Sequence, residues 1–241
     1  MKKLILLFDI DGTLIRTGGA GQQAIETVIS GDPGVDSHNI RFGGRTDRGI
    51  MGDFLSHFGI GDTDENYKTY KSRFLEALAE SLPQCDGHVL PRVIDTLECV
   101  VNQPTIGVGL ITGNMRAAAK QKILAYKLER FFFNDRPDGI GGFGDWHRDR
   151  DDVARDALAE AREHLLPDVE PEHVWVLGDT PNDVKCARAI GAKVVAVATG
   201  SCSIDELRET DADYVIESLD HAAEWWAELA AKYEIETPAF V

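Results

Sequence analysis

An α/β fold on a parallel sheet, with a helical segment inserted after the first strand, is what this sequence of 241 residues predicts. Short apolar runs alternate with helical stretches. One long stretch after the first run contains no comparable strand. Polar residues of related chemistry stand just past the ends of three runs.

The first run, Leu4–Phe8, follows Lys2-Lys3 and imitates the start of a signal peptide. Such a peptide needs an apolar core of ~7–15 residues. Asp9 stops this one after five, and no small-residue cleavage site follows. The run reads as a buried strand of a cytoplasmic protein. No apolar run approaches the ~20 residues of a membrane span. Further runs at Ile106–Ile111, Val174–Leu177 and Val194–Ala198, and a weaker one at Tyr214–Ile216, fit parallel strands buried on both faces. Helical patterns cover about Met115–Leu128, Asp152–Leu165 and Pro181–Ile190, the last stopped by Gly191. This alternation is the mark of a parallel α/β sheet.

From about Arg16 to Gly87 the pattern is helical only, at Ala20–Ile29, Arg48–Phe58 and Asp64–Leu82. Gly18-Gly19-Ala20-Gly21 at one end and Gly87 at the other supply two hinges. Near the end of the chain, Trp225-Trp226 fall in a helical pattern. Neighbours in a helix point ~100° apart, so one tryptophan is expected to pack and the other to be partly exposed or to meet a partner chain.

The formal net charge is −16, with no basic patch. That excludes a nucleic-acid binder and opposes an anionic membrane, while a small anionic substrate remains open to local cations. Cys85, Cys99, Cys186 and Cys202 form no CxxC pair, and the seven histidines show no HxxxH spacing. Buried free thiols are expected, without a zinc site.

The strand ends carry the chemistry, because ligands of open parallel sheets bind beyond the carboxyl ends of the strands. Asp9 and Asp11 are two residues apart, so an extended backbone would aim both the same way. They would share a divalent cation, or divide the roles of nucleophile and acid/base. After Ile111, Thr112-Gly113-Asn114 leads into a helix. Unpaired N–H groups there suit a phosphate, and the Thr112 hydroxyl would donate to it; a plain helix cap by Thr112 or Asn114 is the alternative. In Gly178-Asp179-Thr180-Pro181-Asn182-Asp183, Thr180 suits an N-cap, Pro181 the first helical position and Asp183 a capping acid. Asp179 has no such structural explanation. Several converging carboxylates would repel without a cation, and hard oxygen ligands suit Mg²⁺. Arg148 and Arg150, just before a helix, are the candidates to balance a phosphate.

In this order the pieces resemble the haloacid dehalogenase superfamily: DIDGT at 9–13, Thr112 after an apolar strand, a basic residue before a helix, and GDTPND at 178–183. The resemblance implies a Rossmann-like core over residues 1–15 and 88–241, and a small helical cap domain of the first type over 16–87. It implies Mg²⁺-dependent phosphoryl transfer, with Asp9 attacking phosphorus and Asp11 as acid, then base. Mg²⁺ would be held by Asp9, the Asp11 backbone carbonyl and Asp179, with Asp183 direct or through water. Thr112, Gly113 and Asn114 would bind the phosphoryl oxygens. The family usually has a Lys-Pro at its third motif. None stands in the right region, and Arg150, ranked over Arg148, resembles an Arg variant that keeps the charge. Asp11 argues against dehalogenation and phosphonate cleavage. Gly44 and Arg45, before a cap helix, resemble the substrate loop of phosphoglycolate-type phosphatases, with Thr46 as a plain N-cap the alternative. The expected activity is a phosphatase for a small phosphate monoester, phosphoglycolate-like or a sugar phosphate. A β-phosphoglucomutase-type phosphomutase or a non-catalytic binding member is the alternative. A small phosphorylated substrate is the expected partner; a monomer and a homodimer are not distinguished.

Overall fold

The computed structural model describes residues 3–30, 42–133 and 136–240. Six strands, β1 (Leu4–Phe8), β4 (Ile106–Ile111), β5 (Gly141–Gly142), β6 (Val174–Gly178), β7 (Lys193–Val197) and β8 (Tyr214–Ile216), form one parallel sheet in the order β5-β4-β1-β6-β7-β8. The predicted Rossmann-like α/β core is therefore present. Every β1 residue is buried, because the alternation of a strand feeds two cores. Leu4, Leu6 and Phe8 join one face and Ile5 and Leu7 the other. The first face is covered by α4 (Val93–Val101), α6 (Glu129–Phe132) and α10 (Ala223–Tyr233), and the second by α7 (Arg150–His164) and α8 (Pro181–Ala189). Short α9 (Ile204–Arg208) lies between β7 and β8 in the chain.

The chain leaves and re-enters this core side by side. β2 (Ile15–Arg16) and β3 (His88–Val89) pair antiparallel, Ile15 opposite Val89 and Arg16 opposite His88. Just beyond them stand the glycines expected as hinges. The Arg16 guanidinium ties the crossing to the core by donating to the carbonyls of Thr199 and Gly200. Among its described residues the segment between holds α1 (Ala20–Ser30), α2 (Asp47–His57) and α3 (Asp64–Ser81), close to the predicted spans. Thr46 caps α2 by accepting from the Gly49 N–H, as the plain reading of its loop required. The three helices share a cluster of their own, including Ile25, Met51, Phe54, Tyr67, Phe74 and Leu78. Two residues beside or in α5 (Arg116–Ala125), Met115 and Ala118, complete it. The insert therefore packs on the N-terminal end of α5. Among the described residues no helix is long and apolar enough to cross a membrane.

Trp225 and Trp226 correct the sequence reading, since both are fully buried. Their rings lie 4.7 Å apart, and Trp225 also meets Trp175 of β6 at 6.1 Å. An exposed face was expected for a helix on the surface. Here α10 is also covered by the segment that follows it. Gln103, beyond α4, exchanges hydrogen bonds with the backbone of Glu236, and Ile235 joins the same cluster. Either Trp→Ala substitution is thus expected to cost ~3–5 kcal/mol, the range for a large buried aromatic. Urea denaturation checks this; a change under ~1 kcal/mol at Trp226 would contradict its burial.

Candidate active site

The strand order sets the site. β1 lies between β4 and β6, with Phe8 opposite both Leu110 and Leu177. The residues just past these strands are Asp9, Thr112 and Asp179, far apart in sequence and adjacent in space. Connections diverge to the two sides of β1, which makes this the switch point where such sheets bind ligands. Gly12, with φ +88°, turns the chain sharply after the first motif. A Cβ there would run into the Asp179 carboxylate.

Asp9, Asp179 and Asp183 are 5%, 3% and 0% exposed. One carboxylate oxygen from each lies within 4.8 Å of the others. Arg150, first residue of α7 and buried, sits 3.3 Å from Asp9 Oδ1 and donates to Asp183 Oδ1. Arg148 lies elsewhere: half-exposed, it pairs with Asp53 and Asp62 of the insert. Asp183 is also the capping acid of α8, its Oδ2 accepting from the Thr180 N–H and hydroxyl.

One guanidinium cannot balance three carboxylates. Burial pushes the Asp9 carboxyl well above the carboxylate range; Arg150 opposes this, and Asp183 and Asp11 add to it. Burial raises Asp179 likewise, with help from Asp183 and Asp9. Burial works against the charge of Arg150, but Asp183 and Asp9 outweigh it and hold the guanidinium protonated. Asp179 Oδ1 is buried without a hydrogen-bond partner among the described residues. Excess negative charge, hard oxygen donors and an orphaned carboxylate oxygen fit a divalent cation such as Mg²⁺.

Asp11 faces another way. Its Oδ2 accepts from Asn114 Nδ2 and from Lys122 Nζ, both at 2.6 Å. Lys122 also donates to Asn114 Oδ1 at 2.5 Å, and Asn114 Nδ2 reaches the Thr112 hydroxyl at 2.8 Å. The Asn114 side chain is thus spent on protein partners. Neither Thr112 nor Asn114 caps α5. The Met115 and Arg116 N–H groups are bonded to the carboxylates of Asp47 and Asp145, so those donors are not open to a phosphate as expected. Burial, opposed by Lys122, pushes Asp47 up to about 6.

The insert lies directly on this loop. Asp47 N–H bonds the Gly113 carbonyl, Arg48 N–H that of Gly144, and Asn182 Nδ2 the carbonyl of Gly44. Gly113 is required there: a Cβ would collide with the Arg45 carbonyl. Asp9, Asp11, Thr112, Gly113, Asn114, Arg150 and Asp179 line one cavity of about 570 Å³ together with Gly44 and Arg45. Its far wall is apolar, from Ile25, Ile50, Met51 and Phe74. The Arg45 guanidinium is paired with Asp53 at 2.6 Å. Sequence reasoning missed Lys122, Asp47 and Asp145. Lys122 had a readable signal: it lies on the apolar stripe of α5, in step with Ala118 and Ala119.

A family model described as HAD-hydrolase-like matches residues 152–222. Phosphoglycolate phosphatase 1 of Pseudomonas aeruginosa is 27% identical over 222 residues, covering 89% of this chain and 76% of that protein. A haloacid dehalogenase-like family hydrolase of Streptococcus pneumoniae superposes with TM-score 0.63 at 22% identity, over 94% of this chain and 98% of the other. A hydrolase of Pseudomonas syringae gives 0.66 at 22%, over 94% and 99%. At such identities the two structures speak for the fold. With the motif order and the family match over residues 152–222 added, the chain is similar to haloacid dehalogenase-like hydrolases.

Because Asp9 and Asp179 bind protons more tightly folded than unfolded, the metal-free chain loses stability as pH rises above the ordinary carboxylate range near 3.8. Asp47 adds the same sign of slope up to about 6. Asp179→Asn is expected to flatten this slope and raise the metal-free melting temperature at neutral pH. Mg²⁺ should stabilise the parent chain more than the variant. Thermal melts across pH, with and without Mg²⁺, check both expectations.

Proposed function

We propose that the chain is a Mg²⁺-dependent phosphatase that hydrolyses a small phosphate monoester through a phosphoaspartate on Asp9. The observation that carries this reading is the buried cluster of Asp9, Asp179, Asp183 and Arg150, which opens into the cavity that Asp11 and Thr112 also line. Asp9, Asp179 and Asp183, with the Asp11 backbone carbonyl, would hold Mg²⁺, which when bound supplies positive charge to the phosphoryl oxygens.

An oxygen of Asp9 attacks phosphorus as the ester P–O bond breaks, and Asp11 gives the departing oxygen its proton. Asp11 then takes a proton from water, whose oxygen attacks the phosphoaspartate and releases phosphate and free Asp9. Arg150 holds Asp9 and neutralises developing charge, and Thr112 and the Gly113 amide orient the phosphoryl group. Residues 16–87 act as the cap, with Gly44 and Arg45 at the substrate. Closed, that segment shields the site from water. The relative named a phosphoglycolate phosphatase supports a small acid or sugar phosphate as substrate. The fit is to a short organic part between the polar strand edge and the apolar wall.

Incubated with Mg²⁺ and a panel of phosphate monoesters, the purified chain is expected to release phosphate from at least one. Asp9→Asn should lose at least ~1,000-fold in kcat, as removal of a nucleophile does. Activity unchanged by Asp9→Asn would sink the covalent route. Transfer between two positions of one sugar phosphate, faster than phosphate release, would favour a phosphomutase instead. Arg150→Lys should retain more activity than Arg150→Met, though less than the parent, since a point charge replaces a two-pronged donor. Steady-state kinetics on the best ester of the panel checks this order.

A further inference from the structure

We propose that Lys122 is the positioning residue of the acid–base carboxylate Asp11, a role that rests on the phosphatase reading above. Lysine is rarely buried, because its ammonium is costly to remove from water unless it is paired. Lys122 is only 5% exposed, in the middle of the buried stripe of α5. Its Nζ closes a ring with Asp11 Oδ2 and Asn114 Oδ1, and Asn114 Nδ2 closes the third side onto the same Asp11 oxygen. Two donors on one oxygen fix the rotation of the carboxylate. The second oxygen, Oδ1, has no hydrogen bond from the described residues. The Asp11 side chain is 40% exposed and lines the cavity. One oxygen is therefore clamped and the other is presented to the substrate.

A substrate-gripping role fits the site less well. Lys122 already faces two carboxylates, Asp11 directly and the buried Asp47 through space. It has no charge to spare for a substrate anion. The clamp also joins the two halves of the chemistry, because Asn114 holds the Thr112 hydroxyl with the same amide nitrogen.

A misplaced acid matters most where the leaving oxygen needs its proton. An alkyl phosphate expels a strongly basic alkoxide and depends on that proton. A nitrophenyl phosphate expels a stable phenolate and does not. Lys122→Met keeps the length of the side chain and removes the donors. With an alkyl phosphate, kcat/KM, which reports the transfer to Asp9, should fall on the order of 100-fold, the scale of general acid catalysis. With p-nitrophenyl phosphate, kcat/KM should stay within about fivefold, while the water step that Asp11 serves as base slows equally for both esters. Lys122→Arg should recover part of the alkyl activity. On the Asp11→Asn background, Lys122→Met should add little, because the two act as one unit. Lys122→Gln serves the same comparison where the methionine variant does not fold. Equal losses of kcat/KM on both esters, an undiminished loss on the Asp11→Asn background, or a variant as active as the parent would each overturn the proposal alone. Parent protein that hydrolyses neither ester would overturn the phosphatase reading and this proposal with it.

Discussion

One buried guanidinium sets the terms for the rest of the molecule. Arg150 lies between Asp9 and Asp183 with almost no access to water. Losing Arg150 would leave uncompensated carboxylates in the interior, at a cost of ~3–5 kcal/mol. Its position follows from backbone architecture. Arg150 is the first residue of α7, Asp183 lies in the first turn of α8, and Asp9 ends the central strand. Both helices pack on the same face of the sheet, so their N-terminal ends and the end of β1 meet at one point. Even so, the cluster is left with more negative than positive charge. That imbalance fits the proposed metal and phosphate site better than a structural ion pair.

The second constraint is the close seat of the insert on the loop after β4. Backbone hydrogen bonds from Asp47 and Arg48 reach Gly113 and Gly144, and the contact is so close that Gly113 tolerates no side chain. Carboxylates from both sides cap α5: Asp47 comes from the insert and Asp145 from the core. Tyr67 and Lys71 of α3 bind Asp145 in turn. In the proposed function, recognition and chemistry are thus coupled through one helix end. A shift of the insert would disturb α5, and α5 carries the lysine that holds Asp11.

Much of this was legible in the chain. Continuous apolar runs located the strands because strands of a parallel sheet are buried on both faces. Asp9, Asp179 and Thr112 stood out because polar residues directly after such runs lie at the ligand edge. The preference for Arg150 over Arg148 came from its place in the motif, and the cluster at Asp9 gives it a physical ground. Short pieces stayed hidden. β5 is two glycines, and β2 and β3 are two residues each, too brief for any period to register. Trp225 and Trp226 were misread because a helical wheel assumes a single partner surface, and α10 has more than one.

What the sequence by itself determined is the inventory: a parallel α/β core, an inserted helical segment, an acidic strand edge and the types of residue that would work there. Those follow from local periodicity and from the cost of placing carboxylates beside apolar strands. Only the tertiary structure decided the partners. Strand order placed β1 between β4 and β6, so Asp9 met Thr112 and Asp179. Helix packing brought Arg150 to Asp9 and left Arg148 at Asp53 and Asp62. The fold also buried Lys122 against Asp11, a pairing between residues 111 positions apart. No local pattern encodes a contact of that kind, because it forms only when two separately determined elements are brought to the same edge.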